Sequence, residues 1–121
     1  MHCRKFLDIL RIELDDAIED FDALIGLYRN KYDEGRLTDY VLQQNVGFVE
    51  TEKQALRDVR SALSTVDICD EDELGVFRTA IEAQVEQIIR EHDLPAPARD
   101  YILRKIDKVF RYVGAAEAGR V

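Results

Sequence analysis

An uninterrupted apolar repeat runs through the first thirty residues and leaves little choice of secondary structure. The spacing alternates between three and four residues, at Leu7, Leu10, Leu14, Ala17, Phe21, Leu24 and Tyr28. That is the period of an α-helix that buries one face. No helix breaker follows until Gly35, a residue type that often ends helices in the left-handed conformation. We therefore predict a first helix over residues 4–33.

A second repeat of the same period follows after a short connection. Its positions are Leu42, Asn45, Val49, Glu52, Leu56, Val59, Leu63 and Val66, with Val41, Phe48, Ala55 and Ala62 beside it. The repeat predicts a second helix over residues 37–66. Because few residues join the two helices, they should pair as an antiparallel hairpin of two long rods.

Two shorter helices complete the predicted architecture. Further apolar repeats place a third helix over residues 71–92 and a fourth over residues 98–113. The prolines between them disfavour helix for the residue before each. The sequence thus predicts an all-α helical bundle in one domain, residues 1–113, with a flexible C-terminal tail, residues 114–121.

The unequal lengths of the helices predict a binding surface. The third and fourth helices are too short to cover the whole apolar face of the hairpin. A stripe left open near the hairpin end or the N-terminus would be closed by a second copy of the chain or by another protein. The candidate interface residues are Leu7, Leu14, Phe21, Tyr28, Tyr32, Val49 and Leu56. Tyr28 and Tyr32 lie near the hairpin tip and are either interface anchors or ordinary residues at the end of the core.

The distribution of charge disfavours nucleic acid as a general partner. The net charge is −8; residues 1–97 hold 11 Lys and Arg against 22 Asp and Glu, and residues 98–121 hold 6 against 3. A domain this acidic is repelled by phosphate backbones. The predicted fourth helix carries a basic patch of Arg104, Lys108 and Arg111. This patch either grips phosphate, lies in solvent, or pairs with the acidic part of the first helix.

Two further features bear on the compartment. No apolar run is long enough to span a membrane, and the first residues lack the pattern of a secretory signal. Cys3 and Cys69 stand far apart and belong to no Cys-x-x-Cys or Cys/His cluster. We expect two unpaired thiols in a cytoplasmic protein.

The acidic stretch ELDDAIEDFD, residues 13–22, is the strongest candidate for a catalytic site. Glu13 and Asp16 have the three-residue spacing of carboxylate pairs that hold magnesium in helical nucleotide hydrolases. Neither points into the predicted apolar face, however, and Glu52 on the second helix is the only inward carboxylate to join them. We therefore interpret the stretch as a solvated helix face, with a metal site at Glu13, Asp16 and Glu52 as the alternative. No cofactor is expected.

Three polar residues enter the apolar repeats, at Asn45, Glu52 and Gln84. An unpaired polar group costs free energy when it is buried, so each should be exposed, paired or part of a site. One interpretation is that they specify how the helices pair. The other is a small polar pocket built from all three.

These patterns favour a function in protein–protein interaction. The chain is predicted to associate with itself as a homodimer or to serve as a subunit or adaptor of a complex. The alternative is an all-α, magnesium-dependent nucleotide hydrolase that uses the carboxylates. A nucleic-acid-associated regulator that acts through the fourth helix is less favoured.

Overall fold

The computed structural model describes residues 2–66, 73–94 and 96–117, with residues 116 and 117 described by their backbone alone. Four helices account for most of this part of the chain: α1 (His2–Asp33), α2 (Asp39–Leu63), α3 (Leu74–Glu91) and α4 (Ala96–Glu117). The described residues form no β-strand. The prediction of an all-α helical bundle is confirmed.

The turn between α1 and α2 is built as its sequence predicts. Gly35 adopts a positive φ of 74°, which a side chain would strain. The Arg36 amide donates to the Lys31 carbonyl at 2.9 Å and the Gly35 amide donates to the Tyr32 carbonyl at 2.9 Å, so the last carbonyls of α1 are satisfied. The Thr38 hydroxyl then accepts from the amide of Val41 and caps the start of α2.

The other helix ends depart from the prediction by a few residues. Helix α2 ends at Leu63. There the hydroxyls of Ser64 and Thr65 donate hydrogen bonds to the carbonyls of Ser61 and Ala62, and such side-chain bonds to the backbone compete with continuation of the helix. The expected start of the third helix lies outside the described residues, and α3 is seen from Leu74. Helix α4 continues to Glu117, so the predicted tail is wrong over residues 114–117, while residues 118–121 lie outside the described part.

Polar contacts between α1 and α2 fix their relative direction. They join Arg11 to the Leu63 carbonyl at 2.6 Å, Asp15 to Arg60 at 3.0 Å and Asp22 to Lys53 at 2.7 Å. Residue numbers rise along α1 as they fall along α2. The two helices therefore run antiparallel, with the connection at one end of the hairpin.

Helices α3 and α4 pack on one side of this hairpin. Tyr101, Lys105 and Tyr112 of α4 contact Phe21, Glu13 and Lys5 of α1 in that order. Helix α4 thus runs antiparallel to α1. The start of α3 packs on the N-terminal part of α1 through Phe77 and Phe6, and His92 at its end lies 3.6 Å from Asp58 of α2. Helix α3 thus runs antiparallel to α2.

A single apolar core draws on all four helices. Its fully buried large side chains are Phe6, Leu7, Leu10, Leu14, Leu56, Val59, Leu63, Ile81, Val85, Ile102, Ile106 and Val109. Cys3 is buried in the same core, and Cys69 lies outside the described residues. None of the described helices is long and apolar enough to cross a membrane. We call the part in which all four helices pack together the body. It comprises residues 2–21, 53–66, 73–94 and 96–117.

Candidate functional site

The α1–α2 hairpin extends past the ends of the other two helices. The first turns of α4 reach α1 at Phe21, where the ring of Tyr101 packs at 6.0 Å between centroids. At the end of α3, Leu94 lines the same shallow depression as Thr51 and Ala55 of α2. No ion pair, side-chain hydrogen bond or ring contact of residues 23–49 joins them to the described parts of α3 or α4. We call residues 22–52 the hairpin overhang; its α1 arm, residues 22–33, is about 18 Å long at a rise of about 1.5 Å per residue.

A buried lysine anchors the base of the overhang. The side chain of Lys53 is 8 % exposed and its ammonium group lies 2.7 Å from Asp22 and 3.2 Å from Glu50. The hydrogen bond to Asp22 raises the pKa of Lys53 and lowers the pKa of Asp22. Lys53 is the residue that enters the helix interface between Val49 and Leu56. The apolar repeat of α2 predicts Glu52 in that position, but Glu52 is only half-buried.

The overhang carries most of the exposed apolar side chains of the described chain. Among eight large apolar residues that are exposed, five lie here: Leu27, Tyr32, Tyr40, Val41 and Phe48. Phe48 is 59 % exposed. Only Ile25 and Val49 are fully covered within the overhang, because two helices alone bury a narrow strip between them. The overhang therefore presents apolar surface that the body does not cover.

This surface continues the side of the hairpin that packs against α3 and α4. On α2, Val41 and Phe48 lie one heptad apart, and a further heptad leads to Ala55, which is buried in the body. On α1, the heptad positions Leu10 and Ala17 are buried in the body, and Leu24 is the next. In the overhang, α1 and α2 thus continue the sides that pack in the four-helix core, but α3 and α4 do not extend along them.

We call this side of the overhang the overhang face. Its residues are Leu24, Leu27, Tyr28 and Lys31 from α1 and Val41, Asn45, Phe48 and Glu52 from α2. Six of the eight are uncharged. Tyr32 lies at the tip instead, where a hydrogen bond with Asp39 raises the pKa of its phenol.

Most of the interface residues predicted from the sequence lie elsewhere. Leu7, Leu14 and Leu56 are buried in the chain's own core, Val49 is buried between α1 and α2, and Phe21 packs on Tyr101 of α4. Four of these five are buried, and Phe21 is only partly exposed. The predicted residues that belong to the overhang are Tyr28, Tyr32 and the buried Val49. The exposed apolar residues of the overhang face are instead Leu27, Val41 and Phe48. Each lies next to a position of the apolar repeats and not at one.

The three polar residues of the repeats do not form one pocket. Asn45 and Glu52 are half-buried on the overhang face, whereas Gln84 is exposed on α3 beside Val66 and Val76. Asn45 lies in α2, and Val66, which lines the same depression as Gln84, lies just past the end of that helix. The 21 residues between Asn45 and Val66 correspond to about 31 Å along the helix. The alternative of one pocket built from all three residues therefore does not fit the structure, and a role in specifying how the helices pair stays a prediction.

Three carboxylates of the acidic stretch of α1, those of Glu13, Asp15 and Asp22, form ion pairs inside the chain. Glu13 accepts hydrogen bonds from Lys105 at 3.0 Å and from Lys108 at 3.2 Å, and Asp15 pairs with Arg60 at 3.0 Å. Asp16 is exposed and has no ion-pair partner among the described residues. Within residues 2–66, 73–94 and 96–117, no group of three or more His, Cys, Asp or Glu side chains is placed to hold a metal ion.

The basic patch of α4 is largely neutralised by neighbouring acids. Lys108 binds Glu13, and Arg111 lies 3.0 Å from Asp107 on its own helix. Arg104 is exposed, in a shallow depression that Asp107 also lines. Lys105, which was not among the predicted residues, makes the shortest ion pair to Glu13. The patch offers little free positive charge for phosphate.

The Glu13 contacts predict a pH-dependent contribution to stability. The hydrogen bond from Lys105 is the main cause that lowers the pKa of Glu13 below its ordinary value of 4.5. A carboxyl group with a lowered pKa in the folded state stabilises that state above its unfolded pKa, and the contribution is lost as the pH falls through the folded pKa. Glu13→Gln is therefore expected to lower the free energy of unfolding by about 1 kcal/mol at pH 7. The difference should shrink as the pH falls below 4.5.

Urea titrations between pH 7 and pH 3 test this expectation. Asp16→Asn is the control, because it removes a carboxylate from the same helix without breaking an ion pair. A Glu13→Gln effect that stays constant down to pH 3 would contradict the assignment of the pair.

Comparison of the chain with models of known protein families, with curated proteins and with solved structures found no match. The overhang is the feature of the molecule from which a function can be argued. Its face combines exposed apolar side chains with only two charged residues, and Lys53 joins α1 to α2 at its base.

Proposed function

We propose that the chain acts through protein–protein interaction and that the overhang face is its binding surface. The observation that carries this proposal is the continuity of the face with the core of the body. Soluble proteins rarely leave a long apolar stripe open, and such stripes mark binding sites. The partner would pack helices against α1 and α2 where α3 and α4 end.

The composition of the face supports this mode of binding. Phe48 and Tyr28 are aromatic, and aromatic side chains near the centre of an interface contribute a large share of its binding energy. Lys31 and Glu52 are the only charged residues of the face, so little charge has to be removed from water when a partner binds. Both charges lie towards the ends of the face rather than at its centre.

Photo-crosslinking in the native host tests the proposal. Phe48 is replaced with benzoylphenylalanine in the full chain, and Ile12, which is also 59 % exposed but lies on the body, is replaced in a matched variant. We expect a discrete crosslinked product from position 48 and none from position 12. A Leu27→Glu substitution in the same chain should abolish the product, because it places a charge on the face without touching the probe. No product from position 48 would overturn the proposed function.

A further inference from the structure

We propose that the partner on the overhang face is a second copy of this chain, whose own overhang supplies the two missing helices. This inference rests on the proposed function and names its partner. The two copies would be related by a two-fold axis that lies in the interface and is perpendicular to the helices. Each overhang would then continue the four-helix packing of the other copy's body.

The direction of the helices fits this arrangement. In the body, α4 runs antiparallel to α1 and α3 runs antiparallel to α2. The two-fold axis places the partner's α1 antiparallel to α1, in line with α4. It also places the partner's α2 antiparallel to α2, in line with α3. The added hairpin has the same length as the gap because both are the same overhang, about 18 Å.

The distribution of charge fits the same arrangement. The face carries one positive residue, Lys31, towards its tip and one negative residue, Glu52, at its base. An antiparallel copy brings the Lys31 end of each hairpin to the Glu52 end of the other. The arrangement also holds the two bodies at opposite ends of the dimer, which limits the repulsion between two chains of net charge −8. The face has no net charge, so it would not attract a strongly basic or strongly acidic partner.

The centre of the face consists of residues that pack well against themselves. The middle of the α1 arm lies near Leu27 and Tyr28. The pairing of Asp22 with Lys53 and of Asp15 with Arg60 places Phe48 opposite them on α2. At a two-fold axis each of these residues meets its own counterpart. The interface is thus apolar where it is most deeply buried.

The size of the face sets the expected affinity. Two helices, each about 10 Å wide and about 18 Å long, present a projected area of about 360 Å² per copy. This is below the ~800 Å² per partner of a standard interface. We therefore expect a dimer that exchanges with monomer at micromolar concentrations.

Sedimentation equilibrium of the purified full chain over about 1–300 µM, the range around a micromolar dissociation constant, is the test. The mass should rise from 14.0 kDa towards twice that value. Phe48→Glu should weaken the association at least tenfold, as expected for a charge at a central anchor. Ile12→Glu, at an equally exposed body position, should leave it unchanged. Far-UV circular dichroism of each variant checks that the body is folded.

Disulfide trapping tests the geometry independently of affinity. In a Cys69→Ser background, Phe48→Cys should form a covalent dimer under mild oxidation and Ile12→Cys should not. A chain that stays at 14.0 kDa throughout, or a dimer that survives Phe48→Glu, would overturn the second-copy inference. If position 48 then crosslinks to a different protein in cells, the proposed function stands with another partner; if it crosslinks to nothing, both fail.

Discussion

Phe6→Ala is expected to lower the free energy of unfolding by about 4 kcal/mol. Phe6 is completely buried, and its ring meets that of Phe77 edge to face at 6.0 Å between centroids, with an interplanar angle of 84°. The substitution removes buried apolar surface, leaves a cavity and deletes an aromatic pair that contributes about 0.5–1.5 kcal/mol beyond its area. A loss of this size is a large part of the stability of a small domain. Urea titration followed by far-UV circular dichroism measures it.

Phe48→Ala is the matched control, with the same change of side chain at an exposed position of the overhang. At a concentration where the chain is monomeric, it should change the free energy of unfolding by less than about 0.5 kcal/mol, as is usual for surface positions. Equal losses at the two positions would mean that Phe48 is covered within the monomer. Equal small losses would mean that Phe6 is not packed as the structure shows.

The parts of the fold that depend on neighbouring residues could be predicted from the sequence. The apolar repeat of α1 and the glycine that follows it determine where that helix ends, and both are visible in the chain itself. The antiparallel hairpin follows from the short connection. A hairpin longer than the other two helices was also predicted, but α2 is shorter and α4 longer than expected, with 25 and 22 residues.

The residues of the binding surface could not be selected in this way. Leu14 and Phe48 both lie in apolar repeats, but α3 and α4 cover the first and end before the second. That difference depends on how far each helix slides along its neighbour, which no local pattern encodes. The same limit applies to the ion pairs: the sequence allowed α4 to pair with the acidic stretch, but only the packing brings Lys105 to Glu13.

The burial of Lys53 was missed for a different reason. The repeat of α2 allows either residue 52 or residue 53 between Val49 and Leu56, since both steps are helical. A lysine can occupy the inward position because its methylene chain packs against apolar neighbours while the ammonium group reaches an acid at the edge. The shorter glutamate is left half-buried beside it.

Lys53→Glu is expected to lower the free energy of unfolding by about 3 kcal/mol, because it leaves a poorly solvated charge without a partner. The new carboxylate would lie between Asp22 and Glu50, whose oxygens are 2.7 Å and 3.2 Å from the lysine nitrogen. It is also too short to reach water as the lysine does. The damage should appear first in the overhang, where amide hydrogen exchange of residues 22–52 should accelerate more than that of the body.

Lys53→Met separates the role of the charge from the role of the side-chain stem. Methionine keeps the apolar length of the lysine and removes its charge, and the carboxylates of Asp22 and Glu50, each about half exposed, stay in contact with water when the lysine is gone. We expect a change within about 1 kcal/mol and little change in hydrogen exchange of the overhang. If Lys53→Met instead destabilises the chain as much as Lys53→Glu, the contacts to Asp22 and Glu50 are what hold α1 and α2 together at the base of the overhang. If both variants are harmless, Lys53 is exposed, the base of the overhang is looser than the structure shows, and a rigid face for a partner loses its support.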